Sequence, residues 1–283
     1  MKQVLKTTLL MSLLIGLFMA VGTYFGGRAG ALAALFFGSI MNFGMYWFSD
    51  KLVLRMQGAQ PLGDRYPEVR RIVTQLADQD GLPMPKLYYV DTPLPNAFAT
   101  GRNPAHAVVA VTSGIMELLN EKELRAVLAH ELGHVKNRDM LVSTVAACVA
   151  GAIAYIAQIA MFTGSAVSSD DDTRGNIVAS ILMVILAPLA ATLVQMAVSR
   201  SREYLADEHS ASTLHSGADL ASALQKLESF KASVPPIAAG PVDQATAHLM
   251  FTNMFAMRGL SSLFSTHPST ADRIARLKKI STL

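Results

Sequence analysis

The sequence predicts a mostly α-helical integral membrane protein that also carries a soluble α+β part with a small sheet. Three observations support this fold class. Only 16% of the 283 residues are charged, whereas soluble domains usually carry about a quarter. The apolar residues are concentrated in four uncharged runs of about 19 to 22 residues, which match a hydrocarbon core of roughly 30 Å. The polar remainder alternates between helical and strand patterns.

The first two apolar runs cover residues 7–25 and 29–48, and the tight sequence GGR joins them. We predict that residues 1–48 form a transmembrane hairpin. The alternative is a cleaved signal peptide, because Lys2 and Lys6 give the first run a basic start. However, VGTYFGG is a poor cleavage site and a second apolar run follows at once, so the hairpin is favoured.

The other two apolar runs cover residues 141–162 and 177–198, within a second predicted hairpin at 141–198. Pro188 does not argue against this interpretation, since membrane helices tolerate proline. The alternative is an Ala-rich hairpin buried in a large soluble core. Two uncharged runs of this length rarely occur in such a core, so we predict four transmembrane helices in total.

Loop charges predict the orientation of the four helices. Basic residues flank the runs at both chain ends and in the segment between the second and third runs, whereas Asp170, Asp171 and Asp172 outnumber Arg174 in the last short loop. By the positive-inside rule, both termini and the central segment face the cytoplasm. The soluble part therefore consists of two cytoplasmic pieces, 49–140 and 199–283.

Charge and cysteine content exclude other classes of protein. The net charge of +3 is too small to argue for a nucleic-acid partner. Cys148 is the only cysteine, so the chain cannot form an intramolecular disulfide. This fits a reducing compartment.

The first soluble piece predicts a helix, two strands and a second helix. The first helix lies within residues 66–82 and stops at Gly81. Residues 86–91 and 105–116 have strand patterns, separated by turn-rich sequence. Asn120 and Glu123 form a capping-box pattern at the start of the second helix. In the second piece, residues 201–214 and 218–230 predict helices broken at HSG, and residues 268–280 predict a last helix.

The capped helix carries the motif H-E-x-x-H as His130, Glu131 and His134. Histidines four residues apart share a helical face, so both rings can reach one Zn²⁺ ion at about 2.0–2.1 Å. Glu131 can hold the water bound to the zinc and take its proton as the water attacks a carbonyl. A chance match is the alternative, but the capped amphipathic helix around the motif argues against it.

A catalytic zinc ion needs a third protein ligand and an open position. Downstream candidates are His209, His215, His248, His267 and the acidic residues near Asp207. We favour Glu203, because its predicted helix begins where the fourth apolar run ends. A membrane hairpin would return the chain to the surface that His134 left, and so bring Glu203 beside it.

Two other interpretations accompany this choice. Asp207 lies four residues after Glu203 on the same helical face, so it can accept the free ring N–H of a ligand histidine. Glu203 could instead form a surface ion pair with Arg200 or Arg202.

Four motifs, HELGHVKNRD, SREYLAD, NAFATG and THPS, resemble the HtpX family of bacterial heat-shock membrane zinc metalloproteases, which is related to the CAAX prenyl proteases. The resemblance covers essentially the whole chain. It implies a thermolysin-like site with one zinc ion per subunit, ligands His130, His134 and Glu203, and Glu131 as the catalytic residue. It also implies a stress-response endopeptidase in the bacterial inner membrane that cleaves misfolded membrane proteins at the cytoplasmic face, with other quality-control proteases as candidate partners.

Two further motifs have a functional and a structural interpretation each. Asn96, Ala97, Phe98 and Ala99 resemble the family's substrate-facing edge strand, to which an extended peptide could add; they could also form an ordinary strand beside a turn. His267 could approach the zinc or stabilise an oxyanion, or it could cap the helix that follows Pro268. The structural role is the one we favour for His267.

Two rival functions are weaker. A non-catalytic zinc-stabilised membrane scaffold or chaperone would not need Glu131, and a structural zinc site usually has four protein ligands. An intramembrane protease would carry its motif inside an apolar run, whereas charged residues flank this one on both sides: Lys122, Glu123, Lys136, Arg138 and Asp139.

Overall fold

The computed structural model describes residues 2–139, 200–234 and 268–280. The third and fourth predicted apolar runs lie outside these ranges, as do His248 and His267. The division of the chain into membrane and cytoplasmic segments therefore stays a prediction.

The described chain begins with a long helix, α1 (Lys2–Met56), which contains both N-terminal apolar runs. Two helical stretches meet at Gly27, whose backbone is not helical (φ 55°, ψ −140°). Glycine adopts this positive φ without the steric cost that a side chain would impose. The break falls within the GGR sequence that was expected to join the two runs. Among the residues that the structure describes, no helix has the length and apolar composition that crossing a bilayer requires.

A four-stranded sheet follows, in the order β1-β2-β4-β3. Its strands are β1 (Gln60–Pro61), β2 (Lys86–Val90), β3 (Ala97–Thr100) and β4 (Val108–Thr112). β2 and β4 are parallel, and β1 and β3 pair antiparallel to them on the two outer sides. β3 is therefore an edge strand of this sheet.

The strand predicted over residues 105–116 was wrong at both ends. A short 3₁₀ turn occupies Pro104–His106, and a helix, α3, begins at Ser113 (Ser113–Leu118). The Thr112 side chain accepts a hydrogen bond from the Ile115 N–H, which favours a helix over a continued strand. The turn-rich pattern alone did not indicate β3, but the resemblance of residues 96–99 to an edge strand did, and the strand is present.

The first helix of the soluble part, α2 (Pro67–Asp80), is confirmed. Proline stands at its start and Gly81 ends it in the left-handed conformation. Its apolar face is buried in the core through Val69, Ile72, Val73 and Leu76.

The central element is α4 (Glu121–Asn137), which carries the H-E-x-x-H motif. Its predicted capping box is confirmed, with reciprocal hydrogen bonds between Asn120 and Glu123. The helix packs against α2, β3 and two later helices, α5 (Arg200–Thr213) and α6 (Ala218–Ser233). The last described helix, α7 (Thr270–Ile280), packs on α5 and α6. The predicted break between α5 and α6 is confirmed, and the chain turns there at His215, whose φ is 54°.

Candidate metal centre

The two motif histidines lie one turn apart on α4 and face the same point. The Nε2 atoms of His130 and His134 are 3.1 Å apart, and the rings are almost perpendicular. The His130 side chain is buried, whereas 18% of the His134 side chain is exposed. The pair therefore lies at the edge of the core, where a substrate can reach it.

Glu203 on α5 completes a set of three donor atoms. Its Oε2 lies 3.8 Å from His130 Nε2, and its Oε1 lies 3.5 Å from His134 Nε2. Close contact between the helices makes this possible, because a Cβ added at Gly133 would lie 3.2 Å from the Cα of Ala206. Glu203 is 7% exposed, so it is not part of a surface ion pair.

The donor set fits a tetrahedral metal ion. One ligand atom from each residue lies within 4.8 Å of the other two. Ligands about 2.0–2.1 Å from an ion at tetrahedral angles would be separated by roughly 3.3 Å, and the three contacts above bracket that value. The combination of two imidazoles and one carboxylate is typical of catalytic zinc sites that keep one position open.

A carboxylate holds each histidine ring from the side opposite this point. His130 Nδ1 lies 3.0 Å from Asp207 Oδ1, and His134 Nδ1 lies 3.2 Å from Asp139 Oδ2. If each Nδ1 carries the proton and donates it to its carboxylate, each Nε2 is left with a lone pair for a metal. The contact expected of Asp207 is present, whereas the sequence reasoning assigned no role to Asp139.

The sequence reasoning also missed two arginines at the site. Arg273 on α7 is 2% exposed and forms two hydrogen bonds with Asp207. Arg202, which had been considered only as a surface partner of Glu203, is 5% exposed and donates to the Asp139 carbonyl. One signal was available for Arg273. It lies four residues before Leu277 and so shares a helical face with this apolar residue, which is buried.

The charges of the buried site favour a cation. Four carboxylates surround the histidines, from Glu131, Asp139, Glu203 and Asp207, and two guanidiniums balance half of them. When all four carboxylates are ionised and both histidines are neutral, as metal binding requires, the cluster carries two negative charges in excess, which a divalent cation would neutralise. Unbalanced charge in a low-dielectric interior is costly.

The pKa values reflect the same imbalance. Burial raises the pKa of Glu131 to about 8, and the charge of Glu203 adds to this rise. Burial lowers the pKa of His130 below its ordinary value. Burial would also lower the pKa of His134, but Asp139, Glu203 and Glu131 outweigh it and raise that pKa. Positive charge among the three donor atoms would favour the ionised form of Glu131.

The candidate substrate strand lies directly beside Glu131. Ala97, Phe98 and Ala99 belong to edge strand β3, and all are buried. The backbone N–H of Ala99 donates a hydrogen bond to Glu131. Asn96 precedes the strand, and its N–H donates to the Thr112 hydroxyl.

The remaining histidines of the described chain are not part of the cluster. His209 lies on α5 but bonds to Asp80, with 2.9 Å between Nε2 and Oδ2. His106 is exposed and contacts Asn103. His215 forms the turn after α5.

Comparisons with known proteins identify the family of the chain. Residues 64–281 match the model of peptidase family M48. A protein named Protease HtpX homolog from Persephonella marina is 47% identical over 275 residues, which are 96% of each chain. Its namesake from Ralstonia pickettii is 49% identical over 278 residues, 98% of this chain and 96% of that one. The crystal structure of S. mikatae Ste24p has a similar fold, with a TM-score of 0.52 at 18% identity. The structural match covers 98% of this chain and 65% of that chain.

Proposed function

The chain belongs to peptidase family M48 and is a metalloprotease of the HtpX type, and we propose that it is a zinc endopeptidase of the bacterial inner membrane. In this proposal His130, His134 and Glu203 bind one Zn²⁺ ion per subunit. The substrates are unfolded or damaged membrane proteins, cleaved at the cytoplasmic face as part of protein quality control.

The observation that carries the proposal is the convergence of these three donor atoms beside a buried glutamate. Nitrogen and oxygen donors in this number suit zinc, and the two excess negative charges that the cluster carries with its carboxylates ionised and its histidines neutral suit a divalent ion. A closed structural site would have four protein ligands and no adjacent base. The donor set therefore supports catalysis rather than structural stabilisation.

The residues around the metal have separate roles. A bound Zn²⁺ would act as a Lewis acid on the peptide carbonyl and make a water molecule acidic enough to attack at neutral pH. The Glu131 carboxylate accepts the proton of the attacking water and delivers it to the departing amine. Asp207 and Asp139 keep the two histidine rings in the metal-binding orientation. His267 is a candidate for stabilising the oxyanion, on sequence grounds alone.

Strand β3 is the proposed binding site for the substrate backbone. Among the described strands it pairs only with β4, so its other side can accept an extended peptide by strand addition. The hydrogen bond from Ala99 to Glu131 supports this assignment, because a peptide along β3 would pass beside the catalytic carboxylate. Strand addition reads the backbone, which suits unfolded substrates of varied sequence.

The exposed surface of α1 supports a membrane location. Its second half presents many large apolar side chains, including Leu32, Phe36, Phe37, Ile40 and Phe43. So many exposed large apolar side chains on one helix are unusual for a soluble protein and typical of contact with lipid or protein. Together with the loop charges, it supports a catalytic part held at the cytoplasmic surface of the bilayer.

The test is Glu131→Gln in the full-length protein purified in detergent. We expect the variant to bind one zinc ion per chain, as the wild type does, and to lose nearly all cleavage of unfolded casein, because the substitution removes the base and keeps the ligands. Glu208→Gln is the matched control, since Glu208 lies on the exposed side of α5. Near-normal cleavage by Glu131→Gln would show that Glu131 is not the base. A wild type that binds no zinc would contradict the metal assignment.

A further inference from the structure

Arg273 is a buried charge that the reaction itself does not use. It comes first among the largest fully buried side chains of the described residues. A guanidinium is rarely buried unless it is paired, because removing it from water costs several kcal/mol. Its partners therefore indicate what the side chain is for.

The main partner is Asp207, bound at both oxygens. Arg273 Nε donates to Oδ2 at 2.9 Å, and Nη2 donates to Oδ1 at 2.6 Å. This two-pronged geometry fixes the plane of the carboxylate as well as its position. The two hydrogen bonds therefore hold Asp207 in one position and one orientation.

The same carboxylate orients a metal-binding histidine. Asp207 Oδ1 lies 3.0 Å from His130 Nδ1, so one oxygen accepts from both the guanidinium and the imidazole. Arg273 Nη2 also lies 3.4 Å from His130 Nδ1. Both atoms are donors when Nδ1 carries the proton, so we assign this approach to the shared acceptor and not to a bond between the two. Fixing Asp207 then fixes the proton on Nδ1 and directs Nε2 at the metal position.

A second contact reaches the carboxylate donor. Arg273 Nη1 lies 3.5 Å from Glu203 Oε2. This contact leaves the other oxygen of Glu203, Oε1, facing His134. One side chain of α7 therefore contacts Asp207 and Glu203 on α5 and reaches His130 on α4.

The docking of α7 delivers this side chain to the site. Leu277 is fully buried, and a Cβ added at Gly217 would lie 2.6 Å from the Leu277 carbonyl oxygen. Arg276 stacks over the ring of Tyr204 and pairs with Glu208 on the exposed side. The helix is thus anchored by Leu277 on its buried face and by Arg276 on its exposed face.

We propose that Arg273 is a positioning residue that sets the zinc affinity of the site by holding Asp207 against His130, so that the docked C-terminal helix is part of the metal centre. The inference rests on the proposed zinc site. It adds that a residue with no contact to the metal, 70 positions after Glu203 in the sequence, controls how tightly the metal is held.

The experiment is a double-mutant cycle on zinc affinity, measured by competition with a chromophoric chelator on full-length protein in detergent. The variants are Arg273→Gln, Asp207→Asn and the double variant, with Arg276→Gln as the control that removes a charge from the exposed side of the same helix. We expect each single site variant to bind zinc about 10–100-fold more weakly and the double variant to be no weaker than the weaker single one, because both changes break the same link. Arg276→Gln should stay within about threefold of the wild type.

Two results would overturn the proposal. One is a zinc affinity of Arg273→Gln within threefold of the wild type. The other is a double variant whose loss equals the product of the two single losses, which would mean that Arg273 does not act through Asp207. The melting temperatures of the chelator-treated wild type and variants show whether a variant binds zinc weakly because it is unfolded. If Arg273→Gln does not fold, Arg273→Lys replaces it, since lysine keeps the charge without the two-pronged geometry; wild-type affinity of the folded lysine variant would overturn the proposal equally. A wild type without zinc affinity would instead contradict the proposed function.

Discussion

At the scale of single residues, Asp139 and Asp207, the two carboxylates that hold the histidine rings, differ in their sequence distance from those histidines. Asp139 follows His134 by five residues, and its backbone N–H donates to the His134 carbonyl at the end of α4. This local bond places Asp139 at the end of the helix, and Arg202 on α5 also donates to its carbonyl. Asp207 follows His130 by 77 residues and is placed by the packing of α5 on α4. The end of α4 itself thus positions Asp139, whereas α5 must pack against α4 to position Asp207.

Glu203 gives the sharpest residue-scale prediction. We expect Glu203→Ala to weaken zinc binding by more than the roughly 10–100-fold typical of losing a supporting group, because it removes a direct donor. Glu208→Ala, on the exposed side of the same helix, should keep the zinc content of the wild type. Metal analysis after dialysis against a weak chelator measures both. Equal zinc content in all three proteins would remove Glu203 from the ligand set.

At the scale of elements, the contact between α4 and α5 positions the third donor. A Cβ at Gly133 would lie 3.1 Å from the His209 ring and 3.2 Å from the Ala206 backbone. His209 cannot easily move, since it is bonded to Asp80, which also pairs with Lys136. The glycine of the motif thus has a packing role that its place between two zinc ligands does not reveal.

We expect Gly133→Val to lower the free energy of unfolding by about 1–3 kcal/mol, as overpacking usually does, and to weaken zinc binding, because α5 must move away with Glu203. Gly44→Val is the control, as nothing lies within 4 Å of a Cβ at Gly44. Thermal unfolding measures the change in stability, and chelator competition measures the change in zinc affinity. Unchanged zinc affinity in Gly133→Val would show that the helix contact does not position the donor.

A second element-scale prediction concerns Glu123, which joins α4 to α6. Burial would raise its pKa, but hydrogen bonds from Lys226, Ser222 and the Asn120 N–H outweigh it and hold the pKa below its ordinary value. A carboxylate with a lowered pKa stabilises the fold above its unfolded pKa of about 4.5, and this stabilisation is lost as the pH falls through the folded value.

We therefore expect Glu123→Gln, which can keep the capping-box hydrogen bond, to lower the free energy of unfolding at pH 7 by about 1 kcal/mol, since Lys226 is partly exposed. The difference from the wild type should shrink as the pH falls below about 4.5. Denaturant unfolding at pH 7 and pH 4 measures it. A difference that is the same at both values would show that the charge of Glu123 is not involved.

At the scale of the whole molecule, the open question is how the catalytic part meets the membrane. The large exposed apolar side chains of α1 and the stacking of Arg102 on Trp47, 4.4 Å from the ring centre, connect this helix to the loop after β3. The proposed substrate strand is thereby linked to the helix proposed to contact lipid. Loops and unfolded ends of membrane proteins are the segments that would reach such a site.

The topology prediction uses single-cysteine variants in a Cys148→Ala background. We expect Ser169→Cys to react with an impermeant reagent on cells whose outer membrane is permeabilised, and Ser201→Cys and Ser281→Cys to react only after lysis, because the loop charges predict a cytoplasmic position for the last two. Gel-shift labelling measures accessibility. Shielding of Ser169→Cys until lysis would mean that residues 141–198 do not span the membrane, and the route that brings Glu203 beside His134 would need another explanation.

The sequence by itself predicted the metal-binding motif and most of the helices that the structure describes. The H-E-x-x-H spacing, the capping box at Asn120 and the glycine stop at Gly81 are local rules, in which each residue acts on neighbours within a turn or two. Glu203 could be chosen as third ligand because its place in the sequence, just after an apolar run, itself suggested where the chain returns. These features need no knowledge of distant contacts.

Asp207 was expected from the sequence, but the tertiary structure alone decided which other charges support the site. Arg273 contacts Asp207 across 66 positions and reaches His130 across 143, and no periodicity in the sequence couples such residues. In isolation, an arginine in an amphipathic helix is interpreted as solvated. Only the docking of α7 on α5 and α6 buries it and pairs it with a carboxylate that is also buried. The strand β3 was expected only from the resemblance of its segment to an edge strand, because the local sequence does not specify the hydrogen-bond partners that β4 supplies.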